Sequence, residues 1–361
     1  MISSFLVGIF GVAVLFMGVF SFFAMVSYKN YRMYSLRIFL IKSSLFIVLT
    51  AYMFLTLLGA IITIAFFSRI LFSISIVLIN AGSIIAFIYF RYLRREKIGN
   101  MIFFLVALLL LKIITIIMHP IRLHYYNNII LRETHLYVLS VVITIILYLI
   151  FFWEMCLFTL DCWSIPLKRE IVKKIFPVSI PLFPIFIMYL ISQDIVELSL
   201  LTPLLQGILI GIGVLYLLIA FRNHLEKLAI IPIEVEGFLL HTYGGIPILR
   251  RAISSQSEKI IALASSLVAA IIGLGSAIEK KTYPHIFQIH RIVKTKMVMF
   301  FGKFVVGTFI VRRDSLALRD ILKKIVHEYE KNVEYIDEGM ITDSYIGIAN
   351  KVFTKYTRFI Q

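Results

Sequence analysis

The sequence predicts a chain in two parts, a bundle of seven transmembrane helices followed by a small α+β domain. Three observations carry that division. Of the 361 residues, 60% are hydrophobic and only 16% are charged, whereas about 45–50% apolar is usual for a soluble domain. Up to Phe221, seven apolar runs are long enough for the roughly 20 helical residues that cross a ~30 Å hydrocarbon core. Beyond Phe221 the pattern changes to short, aromatic-rich extended runs separated by Gly, Pro and polar pairs, which is how strands and turns read.

The seven spans fall near 4–27, 41–67, 70–90, 101–119, 135–159, 175–193 and 199–221. The first is longer than the apolar core of a secretory leader, lacks a basic start and has no small-residue cleavage site, so it reads as retained. Spans two and three are divided at Ser68-Arg69. Orientation follows from the loops. Lys29, Arg32, Arg37 and Lys42, then Arg91, Arg94, Arg95 and Lys97, then Lys168, Arg169, Lys173 and Lys174 fall on one side, and only Arg69, Arg122 and Arg132 on the other. Twelve against three, alternating loop by loop, places the N-terminus outside and everything after Phe221 in the cytoplasm under the positive-inside rule. The net charge of +16 is then a matter of topology. No basic stripe interleaved with aromatics points to nucleic acid.

The expected domains are 1–222, a connector at 223–235 and a soluble domain at 236–361. The connector holds Arg222, His224, Glu226, Lys227 and Ile230-Ile-Pro-Ile without Gly or Ser, and so keeps the domain close to the bilayer. Gly237–Tyr243 and Ile246–Arg251 read as strands joined by a Gly244-Gly245 hairpin turn. Ser257 to Ile278 has helical length. His285–Ile292, Lys296–Phe301 and Phe304–Arg312 read as three strands, and Asp314–Asn332 as an amphipathic helix with an N-cap at Asp314-Ser315. A further helical pattern covers Thr342–Phe359. The run Ile260–Ile278 has no charge and would score as an eighth span, but its Ala, Ser and Gly content and the strands around it favour a helix buried on every side, Ala270 included, with a second copy or the membrane-side connector covering the outer face if the domain's own strands leave it open.

The order ββαβββα resembles the longin/roadblock-like family of small domains. Tyr243-Gly-Gly-Ile-Pro-Ile248 and Leu263-Ala-Ser-Ser-Leu-Val-Ala-Ala-Ile-Ile-Gly-Leu-Gly-Ser-Ala-Ile278 look like versions seen in archaeal members. The resemblance covers the last third of the chain. It implies a non-enzymatic platform that pairs with a second copy or binds small GTPases and their regulators. Pro247 suits an edge strand or strand start. Gly244, Gly245, Pro247, Arg250 and Arg251 are therefore the expected partner surface, with the two arginines facing either an acidic protein or anionic lipid.

Within the spans, Lys112 and Glu154 are the charged candidates, since an intramembrane ion is costly and by default functional. The plainer reading is that Lys112 snorkels to the outer face and Glu154 sits at the inner interface beside Trp153, on the way to Asp161. They lie towards opposite faces and are not paired. Pro177, Pro181 and Pro184 in span six and Pro203 in span seven free backbone carbonyls. Pro181, Pro184, Thr202 and Gln206 could line a polar ligand cavity, or the prolines and nearby glycines serve only kinks and close packing. Cys156 and Cys162 do not share a helical face, so neither a disulfide nor a metal site is expected. His241, His285, His290 and His327 are scattered as filler, and no cofactor motif is present. The expectation is a non-enzymatic receptor or anchor, with a transporter or channel bearing a regulatory domain as the alternative.

Overall fold

The computed structural model describes residues 2–61, 65–95, 97–118, 123–126, 129–132, 135–165, 231–253, 258–278, 286–292, 295–333, 343–357 and 359, with isolated positions between them. The N-terminal region is helical: α1 (Ile2–Tyr34), α2 (Arg37–Ile61), α3 (Ala65–Arg94), α4 (Met101–Met118) and α5 (His135–Trp163). Four of these contain stretches long and apolar enough to cross a bilayer, at Ala13–Tyr34, Arg37–Gly59, Ser73–Arg94 and Val142–Trp163. Met101–Thr115 of α4 is apolar and shorter. The span expected at 175–193 lies outside the described residues, and that at 199–221 is described only at isolated helical positions.

Two local readings change. The second helix ends at Ile61 and the third begins at Ala65, so Ser68-Arg69 lies inside α3. Neither residue is a helix breaker of the Gly or Pro kind, and a polar pair alone does not end a helix. Between α4 and α5, where only a loop is expected, β1 (Leu123–Tyr126) and β2 (Ile129–Arg132) form an antiparallel hairpin.

The helices pack in sequence. Phe23 of α1 stacks on Phe46 of α2 with ring centroids 5.0 Å apart, inside a cluster that includes Phe20, Leu49, Tyr52, Met53 and Ile79. A second cluster joins α3, α4 and α5 through Ile84, Phe87, Leu105, Ile143 and Leu147.

The C-terminal α+β domain consists of β3 (Val235–Thr242), β4 (Pro247–Ala252), α6 (Glu258–Ile278), β5 (Phe287–Ile292), β6 (Thr295–Phe301), β7 (Val305–Val311), α7 (Leu316–Asn332) and α8 (Asp343–Thr357). All five strands join one antiparallel sheet in the order β4-β3-β7-β6-β5. The Gly244-Gly245 turn is present, with Gly245 at a φ of 79° that a side chain would resist. Pro247 starts an edge strand, where its missing N–H costs no ladder bond. Ser315 caps α7 by accepting from the Leu318 amide at 3.2 Å.

Strand alternation splits the sheet into two faces. Leu239, Met297, Met299, Val306 and Ile310 pack on α6, while Phe238, Leu240, Val298, Phe300, Val305, Phe309 and Val311 pack towards α7 and α8. Gly307 of β7 permits the close approach of α7, since a Cβ there would lie 2.5 Å from Val326.

The expectation that α6 is buried all round is corrected. Ile261, Ala264, Val268 and Ile272, at helical spacing, are covered by the sheet, but Ile260, Leu263 and Leu267 are exposed and Ala270 faces outward. One sheet can cover only one side of a helix, and no described element lies on the other.

Candidate functional site

The core of the domain does not stop at the domain. Tyr34, Leu36, Ile38 and Phe39 at the elbow between α1 and α2, Tyr89, Tyr92 and Leu93 at the end of α3, and Phe158 and Cys162 of α5 belong to the same buried cluster as the sheet face and α7 and α8. The ring of Tyr34 lies 6.3 Å from that of Tyr356 and 5.0 Å from that of Phe359. The layers therefore run helix ends, then α7 and α8, then sheet, then α6. It follows that α6 is on the side of the sheet remote from the spanning helices.

Polar contacts cross the same junction. Arg94, near the end of α3, is buried and donates to both Glu154 and Asp161 of α5, the latter at 2.7 Å. Arg91 approaches the other oxygen of Glu154 at 3.9 Å. Asp161 also accepts from Arg313 of the domain at 2.7 Å. The Leu316 amide, at the start of α7, donates to the carbonyl of Arg95 at 3.0 Å, and the Asp320 carboxylate accepts from the Arg37 amide at 2.9 Å. Lys168, beyond α5, is buried and donates to the carbonyls of Ile231 and Ile233 at 2.5 and 2.7 Å, pinning the connector where it enters β3. Burial holds the Lys168 ammonium at about 8, below its ordinary range, with Cys162 and Glu234 opposing that shift.

The two charged candidates of the helices are both buried. Lys112 does not snorkel: it is 1% exposed and its Nζ lies 2.5 Å from the Thr144 hydroxyl, because the faces of α4 and α5 that carry them meet. Glu154 lies towards the end of α5 that meets the domain, joined to Asp161 through Arg94. It is 3% exposed and held by Arg94, while its neighbour Trp153 points outward. Lys112 and Glu154 are not paired. Thr144 and Glu154 stand about 15 Å apart along α5 at 1.5 Å per residue, with apolar Leu147 and Ile150 between.

On the expected partner surface, the two arginines of β4 do not act as one rim. Arg251 donates to the Asn350 side chain of α8 at 3.1 and 2.6 Å, whereas Arg250 is exposed and depresses His241, whose neighbour on the sheet face is α6. Successive strand residues point to opposite faces. Gly245 lies 3.1 Å from the Ala269 side chain of α6, measured from where its Cβ would be, so the hairpin turn leans on that helix. His241 is buried with its Nε2 2.8 Å from the Ser265 hydroxyl; burial foremost, and Arg250 second, lower it to about 4. His290 lies beside Gln288 and His327 against the Phe300 ring. His285 and the cavity residues Pro181, Pro184, Thr202 and Gln206 lie outside the described residues.

Among the described residues, no group of three or more His, Cys, Asp or Glu side chains is placed to hold a metal. The chain matches no family model, no curated protein and no solved structure.

Proposed function

We propose that this chain is a non-enzymatic membrane receptor or anchor that presents a docking surface to a partner protein. The observation that carries the reading is the outward face of α6. Ile260, Leu263 and Leu267 form an exposed apolar stripe without a charge, on the side of the sheet remote from the spanning helices. Exposed apolar patches of this kind mark interaction sites, and the bilayer is on the wrong side of the domain to cover it.

The longin/roadblock-like reading draws support from the element order and from a sheet with one helix on one face and two on the other. On that reading the partner is a small GTPase or a second copy of the domain. The orientation, with N-terminus outside and the domain in the cytoplasm, draws support from the helix ends. Arg37, Arg91, Arg94, Arg95 and Lys168 all lie at the end of the bundle that meets the domain. Against the transporter alternative stand apolar Leu147 and Ile150, packed between Thr144 and Glu154 on α5.

The test is binding of purified Ras-like small GTPases, loaded with GDP or a non-hydrolysable GTP analogue, to the full chain in lipid nanodiscs, alongside light scattering for self-association. Leu263→Lys with Leu267→Lys should weaken whichever contact exists by at least about tenfold, the effect of losing 1.4 kcal/mol. Unchanged binding and unchanged mass in that variant would remove α6 as the docking face.

A further inference from the structure

Asp320 lies in the second turn of α7, on the side that meets the spanning helices. Its carboxylate accepts from the backbone N–H of Arg37 and from the hydroxyl of Tyr92. Arg37 is the first residue of α2, and the first four amides of a helix have no acceptor within it. Tyr92 is in the last turn of α3. One side chain of the domain thus caps one long apolar helix and holds its neighbour.

A helix cap ordinarily comes from the residue just before the helix. Here that stretch is used otherwise. Ser35 takes a left-handed φ of 51°, a conformation that a non-glycine residue keeps only where its surroundings fix it. Those surroundings are the buried side chains of Tyr34 and Leu36, with Tyr34 packed on the rings of Tyr356 and Phe359. The elbow is therefore shaped by the domain on both sides of the strained residue.

The far side of α7 grips the sheet. Leu322 and Val326 sit over Gly307, and Glu330 accepts from the amides of Phe304 and Val305 at 2.7 and 3.3 Å, at the turn between β6 and β7. No loop intervenes between the residue that caps α2 and the residues that seat the sheet.

We propose that Asp320 is a helix cap supplied in trans that couples the packing of α2 against α3 to the seating of α7 on the sheet. A rearrangement of those two helices, whether by lipid or by a ligand, is delivered to α7 and to its seat on the β6–β7 turn. The coupling deepens the receptor reading above and relies on it only in taking α2 and α3 as membrane-spanning. It needs no partner protein, so recruitment can fail while the coupling stands.

Hydrogen exchange on the full chain in lipid nanodiscs tests it. Asp320→Ala removes the accepting carboxylate, and exchange should rise about fivefold, the equivalent of one N-cap, in the first turn of α2 and together with it across residues 316–326. Strand β3 and helix α5 should keep their protection. Tyr92→Phe leaves the cap and cuts only the second arm, and should loosen the same two places to a smaller extent. A rise confined to α2 would reduce Asp320 to a local cap, and a rise that includes β3 would make it a general folding residue. Either result overturns the coupling, as does a silent Tyr92→Phe.

Discussion

Arg313, just beyond the last strand of the sheet, donates to Asp161 at 2.7 Å, and Asp161 is the same carboxylate that accepts from Arg94 on its other oxygen. The α+β domain is thereby joined to a charge network that continues inside the helices to Glu154. The inner members are buried and the outer one, Arg313, is exposed. The network is consequently strong where water is excluded and weak at its rim.

Breaking the buried pair is expected to be severe. Arg94→Met leaves Glu154 as a buried carboxylate whose nearest remaining cation is Arg91 at 3.9 Å, and losing one member of a buried pair costs about 3–5 kcal/mol. Adding Glu154→Met removes the stranded charge and should recover most of that loss. Thermal unfolding of the detergent-solubilised chain measures both. Arg313→Gln, at the exposed rim, should shift stability by about 1 kcal/mol or less. A double variant no more stable than Arg94→Met alone would mean that Glu154 is not held by Arg94.

The α+β half was readable because each element carries its own local signal. The strands, the Gly-Gly turn and the Asp314-Ser315 cap are written within a few residues of where they act. The junction was not readable. Arg94 sits among Arg91, Arg95 and Lys97, and in a linear reading such a group serves topology. Its true partners are 60 and 67 positions away. Asp320 likewise looks like the polar side of an amphipathic helix, and the amide it caps is 283 positions distant. The one signal available was Glu154 itself, an acid far inside an apolar run that had to have a cation.

Helix α6 offers a second contrast, between two residues two positions apart. Val268 is fully buried under the sheet and Ala270 faces outward. Val268→Arg should prevent folding of the domain or lower its stability by several kcal/mol, because an unpaired buried charge costs about that much. Ala270→Arg should leave the thermal midpoint within the ordinary scatter of surface changes, about 0.5 kcal/mol. If both destabilise equally, α6 is covered on its outer face as well.

Topology is open to cysteine labelling in a chain with Cys156 and Cys162 replaced. The β1–β2 hairpin and Lys97 lie at opposite ends of α4. A probe at Tyr125→Cys should react with an impermeant reagent from outside intact cells, and probes at Lys97→Cys and Lys303→Cys only after permeabilisation. External reaction at Lys303→Cys would reverse the orientation of the domain.

Acid should weaken the domain through His241. Burial holds its pKa at about 4, against about 6.5 in an unfolded chain. Between these values the unfolded state binds the extra proton, so stability rises with pH across that window. The contribution is complete above about pH 6.5 and is lost as pH falls towards 4, by about 3 kcal/mol at most. Glu328 acts in the same sense but lower: burial pushes its carboxyl up, the hydrogen bonds from Lys355 and Tyr356 outweigh that, and the net depression means its share is lost only below its ordinary value. Asp320 opposes both, because burial raises its carboxyl and protonation relieves it. The interval from pH 6.5 to 5 lies inside the His241 window. His241→Gln preserves a polar contact for Ser265 without titrating, and unfolding midpoints for the variant should be flatter than those of the parent chain over that interval. Equal slopes would show that the imidazole is already protonated, or already wet, in the folded protein.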